Sequence, residues 1–105
     1  MVKYIETDAE FQELMEQSSS KLVVIDFTAT WCGPCQMIAP VFEKMSDEFT
    51  DVIFIKVDVD KADTIAQKCG IKAMPTFQYY KDGKKVDEIC GADAAKIKSK
   101  VLEHK

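Results

Sequence analysis

Val24-Ile25-Asp26-Phe27-Thr28-Ala29-Thr30-Trp31-Cys32-Gly33-Pro34-Cys35 is the stretch that decides how this chain folds. Its first half closes an apolar run from Lys21 to Thr28, interrupted by Asp26. Such a run reads as a strand buried on both faces. Its second half opens a helical pattern: Ile38, Val41, Phe42, Met45 and Phe49 recur at helical spacing, predicting a helix from Cys32 to about Phe49. Pro40 lies inside that pattern and is expected to kink the helix, because it lacks an amide proton and crowds the preceding turn. Two cysteines therefore stand where a buried strand gives way to a helix.

Working outward, the flanking segments alternate in type. Residues 2–6 are compatible with a short strand. Thr7-Asp8-Ala9-Glu10 reads as a capping box, and Phe11, Leu14 and Met15 follow at helical spacing. Ser18-Ser19-Ser20 reads as a short loop. Val52 to Val59 is rich in β-branched residues and predicts another buried strand. Asp63 to Cys69 predicts a short helix ending at Gly70, a residue suited to a left-handed cap. Thr76 to Tyr80 and Lys84 to Ile89 flank Lys81-Asp82-Gly83, whose Asp-Gly step marks a hairpin. Ala94 to about Glu103 predicts a last helix with Ile97 and Val101 inward. The order βαβαβ, α, ββα joins a parallel crossover half to an antiparallel hairpin. It predicts an α/β fold with a central mixed five-stranded sheet and four helices on both faces. No linker or repeat interrupts the order, so residues 1–105 are expected to form a single domain.

The formal charge of -4 and a pI near 4.9 argue against nucleic acid, which needs a basic face. No apolar run approaches the roughly 20 residues of a membrane span. The stretch Met1-Val2-Lys3-Tyr4-Ile5-Glu6 has neither the apolar core nor the cleavage site of a secretory signal. Together with the leading methionine, this gives the expectation of a cytoplasmic protein. With 47% apolar residues the chain has material for a core without covalent staples. Its cysteines, Cys32, Cys35, Cys69 and Cys90, therefore read as thiol chemistry before they read as a disulfide framework. Zinc is the alternative. A zinc ribbon would bring a second Cys-x-x-Cys or a His pair, and the lone His104 supplies neither, so no metal is expected.

The spacing of Cys32 and Cys35 has a chemical consequence. Cys32 would sit at a helix N-terminus, where free amides and the positive end of the dipole favour an anion. A thiolate, not a thiol, is the nucleophile, so that placement activates the sulfur. Cys35 is one helical turn on, close enough for a short-loop disulfide. Gly33 keeps the first turn accessible, and Pro34 is tolerated there because first-turn amides have no helical partner. Asp26 is expected to be buried, which raises a carboxyl pKa. It reads either as a core carboxyl satisfied by hydrogen bonds or as a functional group.

Trp31-Cys32-Gly33-Pro34-Cys35, with the strand before it, Val57-Asp58-Val59-Asp60 and Met74-Pro75-Thr76-Phe77, resembles the thioredoxin family, particularly its cytosolic animal members. The similarity extends over essentially the whole chain, and the element order matches the thioredoxin fold. The resemblance implies a protein-disulfide reductase in cell redox homeostasis and electron transport. Cys32 would be the nucleophile and Cys35 the resolving thiol, with Asp26 taking the proton from Cys35. It further implies a cis bond before Pro75. Trp31, Met74, Pro75, Gly91 and Ala92 would form a docking surface on which an extended substrate adds as a strand. No bound cofactor is implied beyond the redox disulfide. The chain carries no nucleotide-binding glycine motif, so NADPH would belong to a partner, thioredoxin reductase. Protein disulfides such as those of peroxiredoxins, methionine sulfoxide reductase and ribonucleotide reductase would be the substrates.

Some positions depart from the animal pattern. Ala62 and Ala73 stand where many vertebrate members carry further cysteines, so a dimer linked through position 73 is ruled out and a monomer is expected. Lys56 is a bacterial-like residue. Simple alternation puts Phe54, Lys56 and Asp58 on one strand face, so Lys56 reads either as a tuning cation near Asp26 or as a lysine that snorkels to solvent. Cys90 and Cys69 read as small buried hydrophobes or as redox-sensitive thiols. Two rival functions stand beside the reductase: an oxidase or isomerase module, and a redox-silent scaffold. Gly33-Pro34 stands against the first, since oxidising relatives usually carry a His there. The intact cysteine pair stands against the second.

Overall fold

The computed structural model describes residues 2–105; Met1, which figured in the expectation of a cytoplasmic protein, lies outside them. Nine elements follow in the expected order: β1 Lys3–Tyr4, α1 Asp8–Gln17, β2 Val23–Thr28, α2 Gly33–Glu48, β3 Ile53–Asp58, α3 Asp63–Lys68, β4 Thr76–Lys81, β5 Lys84–Cys90 and α4 Ala94–His104. The strands form one sheet in the order β1-β3-β2-β4-β5. β1 and β2 run parallel to β3, whereas β4 is antiparallel to both β2 and β5. The sheet is thus mixed, and β2, which leads into the cysteines, lies at its centre.

Alternation along β2 explains the two cores. Leu22 and Val24 point to one side, where Ile38, Phe42 and Met45 of α2 and Ile97 and Val101 of α4 cover them. Val23, Ile25 and Phe27 point to the other, against Phe11 and Leu14 of α1 and Ile65 of α3. Phe42 is fully buried and meets Phe54 edge-on at 5.3 Å between ring centroids. Each such aromatic stabilises the fold by roughly 1.5–3 kcal/mol through burial. α2 therefore rests on β2 by the same helix face whose first turn carries Cys35.

Local chemistry sets the element ends. Thr7 and Glu10 form the reciprocal capping box at α1. α2 runs unbroken through Pro40. α3 is followed by Gly70 at φ 71°. The hairpin turns at Asp82 and Gly83, both with positive φ, 54° and 75°, as a tight two-residue turn demands. The serine loop does more than connect. Ser18 is fully buried, its carbonyl accepts from the Asp82 amide and its hydroxyl oxygen from the Gly83 amide, both at 2.8 Å. The end of α1 is thereby tied to the hairpin. β1, at two residues, is shorter than residues 2–6 suggested.

Candidate active site

Cys32 is the N-cap of α2, with extended backbone at φ -94° and ψ 109°, and Cys35 lies in the first turn. The two form a disulfide with their Cα atoms 5.3 Å apart. The Cys35 amide donates to Cys32 Sγ at 3.2 Å, so a free helix-start N–H is aimed at that sulfur. In this oxidised state both are buried: Cys32 is 6% exposed and Cys35 1%. Cys32 is thus the more exposed residue of the pair, by a small margin. A Cβ at Gly33 would meet nothing within 4 Å, and its φ is not positive. The site therefore does not require glycine there on steric grounds.

Three loops converge on the disulfide. Ala29 from the β2–α2 connection packs with both cysteines, and Val59 and Met74 close on the same cluster. Trp31 is 66% exposed, so it lies beside the disulfide as surface and not as core. Its indole Nε1 donates to Asp60 Oδ2 at 2.8 Å. Asp58, two residues before, accepts the Asp60 and Lys61 amides and fixes the loop that presents Asp60. The Met74–Pro75 peptide bond is cis. The Pro75 carbonyl accepts from the Gly91 amide at 2.9 Å, while Thr76 Oγ1 donates to the Ala73 carbonyl at 2.6 Å. Ala92 follows as an exposed residue. Trp31, Met74, Pro75, Gly91 and Ala92 thus come from three loops at the end of the sheet where β2 terminates.

Asp26 lies fully buried in the middle of β2. Neither of its carboxyl oxygens has a protein hydrogen-bond partner among the described residues. Burial pushes its pKa up to about 7, and the Lys56 cation opposes part of that rise. Lys56 stands opposite Asp26 in the β2–β3 register, in mid-strand, and is only 7% exposed. It is a buried cation rather than a lysine reaching freely into solvent.

The remaining cysteines differ from a simple buried pair. Cys69 is half-buried, and burial pushes its thiol up. Cys90 is exposed because β5 is an edge strand, and its Sγ lies 3.5 Å from Thr76 Oγ1. The expectation of a buried hydrophobe fails for Cys90. Among the described residues, Asp87, Glu103 and His104 could bring metal-ligating atoms together, but Lys100 Nζ already sits 2.9 Å from Asp87 and 3.4 Å from Glu103. An ammonium therefore occupies the place a cation would take. Sequence reasoning gave no role to Asp60, Tyr4 or Gln36. Asp60 was visible in Val57-Asp58-Val59-Asp60, but its bond to Trp31 needs the fold. Gln36 Nε2 holds the Ala29 carbonyl at 3.1 Å, a contact no local pattern announces.

A Cys-x-x-Cys disulfide capping a helix at the end of a central strand defines a thiol–disulfide oxidoreductase. Residues 2–103 match the Thioredoxin family model. The chain is 50% identical to rabbit (Oryctolagus cuniculus) thioredoxin over 103 residues, covering 98% of each chain. It also superposes on the X-ray structure of Fasciola hepatica thioredoxin with a TM-score of 0.96, at 41% identity, covering 99% of this chain and 100% of that one. A further similar chain, at a TM-score of 0.91 and 37% identity, covers 97% of this chain and 94% of its own. It comes from a structure on thiol resolution in yeast mitochondrial 1-Cys peroxiredoxin via glutathione/thioredoxin systems. The chain belongs to the thioredoxin family, and its activity is protein-disulfide reduction.

Proposed function

We propose that the chain reduces protein disulfides through the following cycle. The Cys32 thiolate attacks one sulfur of a substrate disulfide, forming a mixed disulfide and releasing the other substrate sulfur as a thiolate. Cys35 then loses its proton to Asp26 and attacks Cys32 Sγ. The mixed bond breaks, the reduced substrate leaves, and the Cys32–Cys35 disulfide holds the two oxidising equivalents. A carboxyl with a pKa of about 7 is matched to that proton transfer, because near neutral pH it is ionised in a large fraction of molecules yet basic enough to accept. The observation that carries the reading is the disulfide at the N-cap of α2, where the Cys35 amide bonds to Cys32 Sγ.

Substrate would dock across Trp31, Met74, Pro75, Gly91 and Ala92, pairing its backbone with the loop before β4 by strand addition. The exposed indole and the joined Pro75 and Gly91 loops support this surface. Lys56 tunes Asp26. Return to the dithiol takes two electrons from NADPH through thioredoxin reductase. Peroxiredoxins, methionine sulfoxide reductase and ribonucleotide reductase are the classes of protein whose disulfides would be reduced. We further infer that residues 1–105 act as one domain, as a monomer in the cytoplasm, serving electron transport and redox homeostasis. No helix among the described residues is long and apolar enough to cross a membrane. A coupled assay tests the reading. NADPH, thioredoxin reductase, this protein and insulin should consume NADPH at a rate proportional to this protein. No consumption above the reductase alone would refute it.

A further inference from the structure

One row of residues crosses the sheet at the level of Asp26. Tyr4 pairs with Lys56 between β1 and β3, Lys56 with Asp26 between β3 and β2, and Asp26 with Phe77 between β2 and β4. Residues paired across strands share a face. The row therefore reads, from the sheet edge inward, aromatic ring, ammonium, carboxylate and core phenylalanine. Tyr4 is 48% exposed and Lys56 is 7% exposed, so the ring forms the outer layer over the cation. Lys56 Nζ lies 5.6 Å from the centroid of the Tyr4 ring, within cation–π range.

A lysine stem is flexible, and its head gains hydration by turning outward. The ring face supplies a seat that opposes this. It also thins the water beside the ammonium, so that less of its field at the carboxylate is screened. Burial, and after it the Asp26 charge, push the Tyr4 phenol up, so the hydroxyl also couples to the carboxyl directly, and Tyr4→Phe, which removes the hydroxyl, separates that coupling from the seat the ring provides. Two further carboxylates act on Tyr4, Asp58 and Glu43, and each is held by backbone amides. Asp58 on β3 accepts the Asp60 and Lys61 amides, and Glu43 on α2 accepts the Val2 amide at 3.1 and 3.2 Å. Lys56 has no such backbone partner among the described residues, and the Tyr4 ring is the group its ammonium approaches.

We propose that Tyr4 is a positioning residue, its ring holding the Lys56 ammonium beside the Asp26 carboxylate. The proposal rests on the reading of Asp26 as the proton acceptor, and its test keeps the two apart. Asp26 is titrated by carboxyl NMR in the oxidised full chain, where neither Cys32 nor Cys35 titrates. Tyr4→Leu keeps apolar bulk at a half-exposed edge position and removes the π face. Its Asp26 midpoint should rise by roughly 0.3–0.7 pH unit. Tyr4→Phe, which retains the ring, should restore the original midpoint. In a Lys56→Met background, already shifted upward, Tyr4→Leu should add nothing. An unchanged or lowered midpoint in Tyr4→Leu, or an equal rise with and without Lys56, overturns the proposal. Failure of the proton-acceptor reading would show elsewhere: Asp26→Asn would resolve the mixed disulfide at the wild-type rate, whatever the titrations give.

Discussion

The Gly91 amide donates to the Pro75 carbonyl at 2.9 Å, joining the loop after β5 to the loop before β4. The bond extends the antiparallel ladder one step past Cys90 and Thr76, the last pair of the register. Two segments of the docking surface are thereby held as one rim. Gly91 adopts φ 102°, a conformation that L side chains rarely take, although a Cβ there would meet nothing within 4 Å. The constraint at Gly91 is therefore in the backbone and not in the space around it.

Gly91→Ala should accordingly destabilise the fold by about 1–3 kcal/mol, the range for a strained backbone position. It should also lower kcat/KM for a protein disulfide by several-fold more than for a small aromatic disulfide, which has no strand to add. Denaturant melts and the two assays side by side check this. Equal losses on both substrates would remove Gly91 from docking.

Asp26→Asn should stabilise the protein in a pH-dependent way. A carboxyl raised from 3.8 to about 7 in the fold is protonated in both states at low pH and contributes no penalty there. Between about pH 4 and 7 the unfolded chain ionises while the folded one resists, so stability falls; above that window the loss is constant. The full loss is on the order of 4 kcal/mol for a shift of that size. Urea melts of the two proteins should converge near pH 4 and diverge toward pH 8. Parallel curves across that range would contradict the burial argument.

On β5, Asp87 holds Lys100 and His104 of α4, each at 2.9 Å. These partners, His104 first, pull the Asp87 carboxyl down to about 2. A depressed folded pKa gives stability that is present above the unfolded value near 3.9 and lost as pH falls toward the folded one. The pair is near the surface, so Asp87→Asn should cost at most ~1 kcal/mol at pH 7. Thermal melts should show that difference shrinking between pH 4 and 2.

What the sequence disclosed follows from the range of each signal. The capping box at Thr7 and Glu10, the Asp82-Gly83 turn and the helical spacing after Cys35 are local. A few neighbouring residues fix their geometry, and each was legible. So was the burial of Asp26, because an apolar run on both sides leaves its side chain nowhere polar to go. The proline before β4 was legible as a strand boundary, but its cis bond came only through the family resemblance. Pairings between distant segments were not legible. Nothing near Trp31 points to Asp60, and nothing near Tyr4 says that its ring will cover Lys56. The buried Ser18 and exposed Cys90 also escaped, because burial there depends on the hairpin's docking and on β5 being an edge.

Trapping the mixed disulfide tests the central assignment most directly. Each of Cys32→Ser and Cys35→Ser, prereduced, is mixed with an oxidised protein substrate, and covalent adducts are identified by mass spectrometry. The account predicts that Cys35→Ser accumulates a mixed disulfide through Cys32, since attack proceeds and resolution cannot. Cys32→Ser should form no adduct at these times and should not turn over. An adduct through Cys35 in Cys32→Ser, with none through Cys32 in Cys35→Ser, would contradict it.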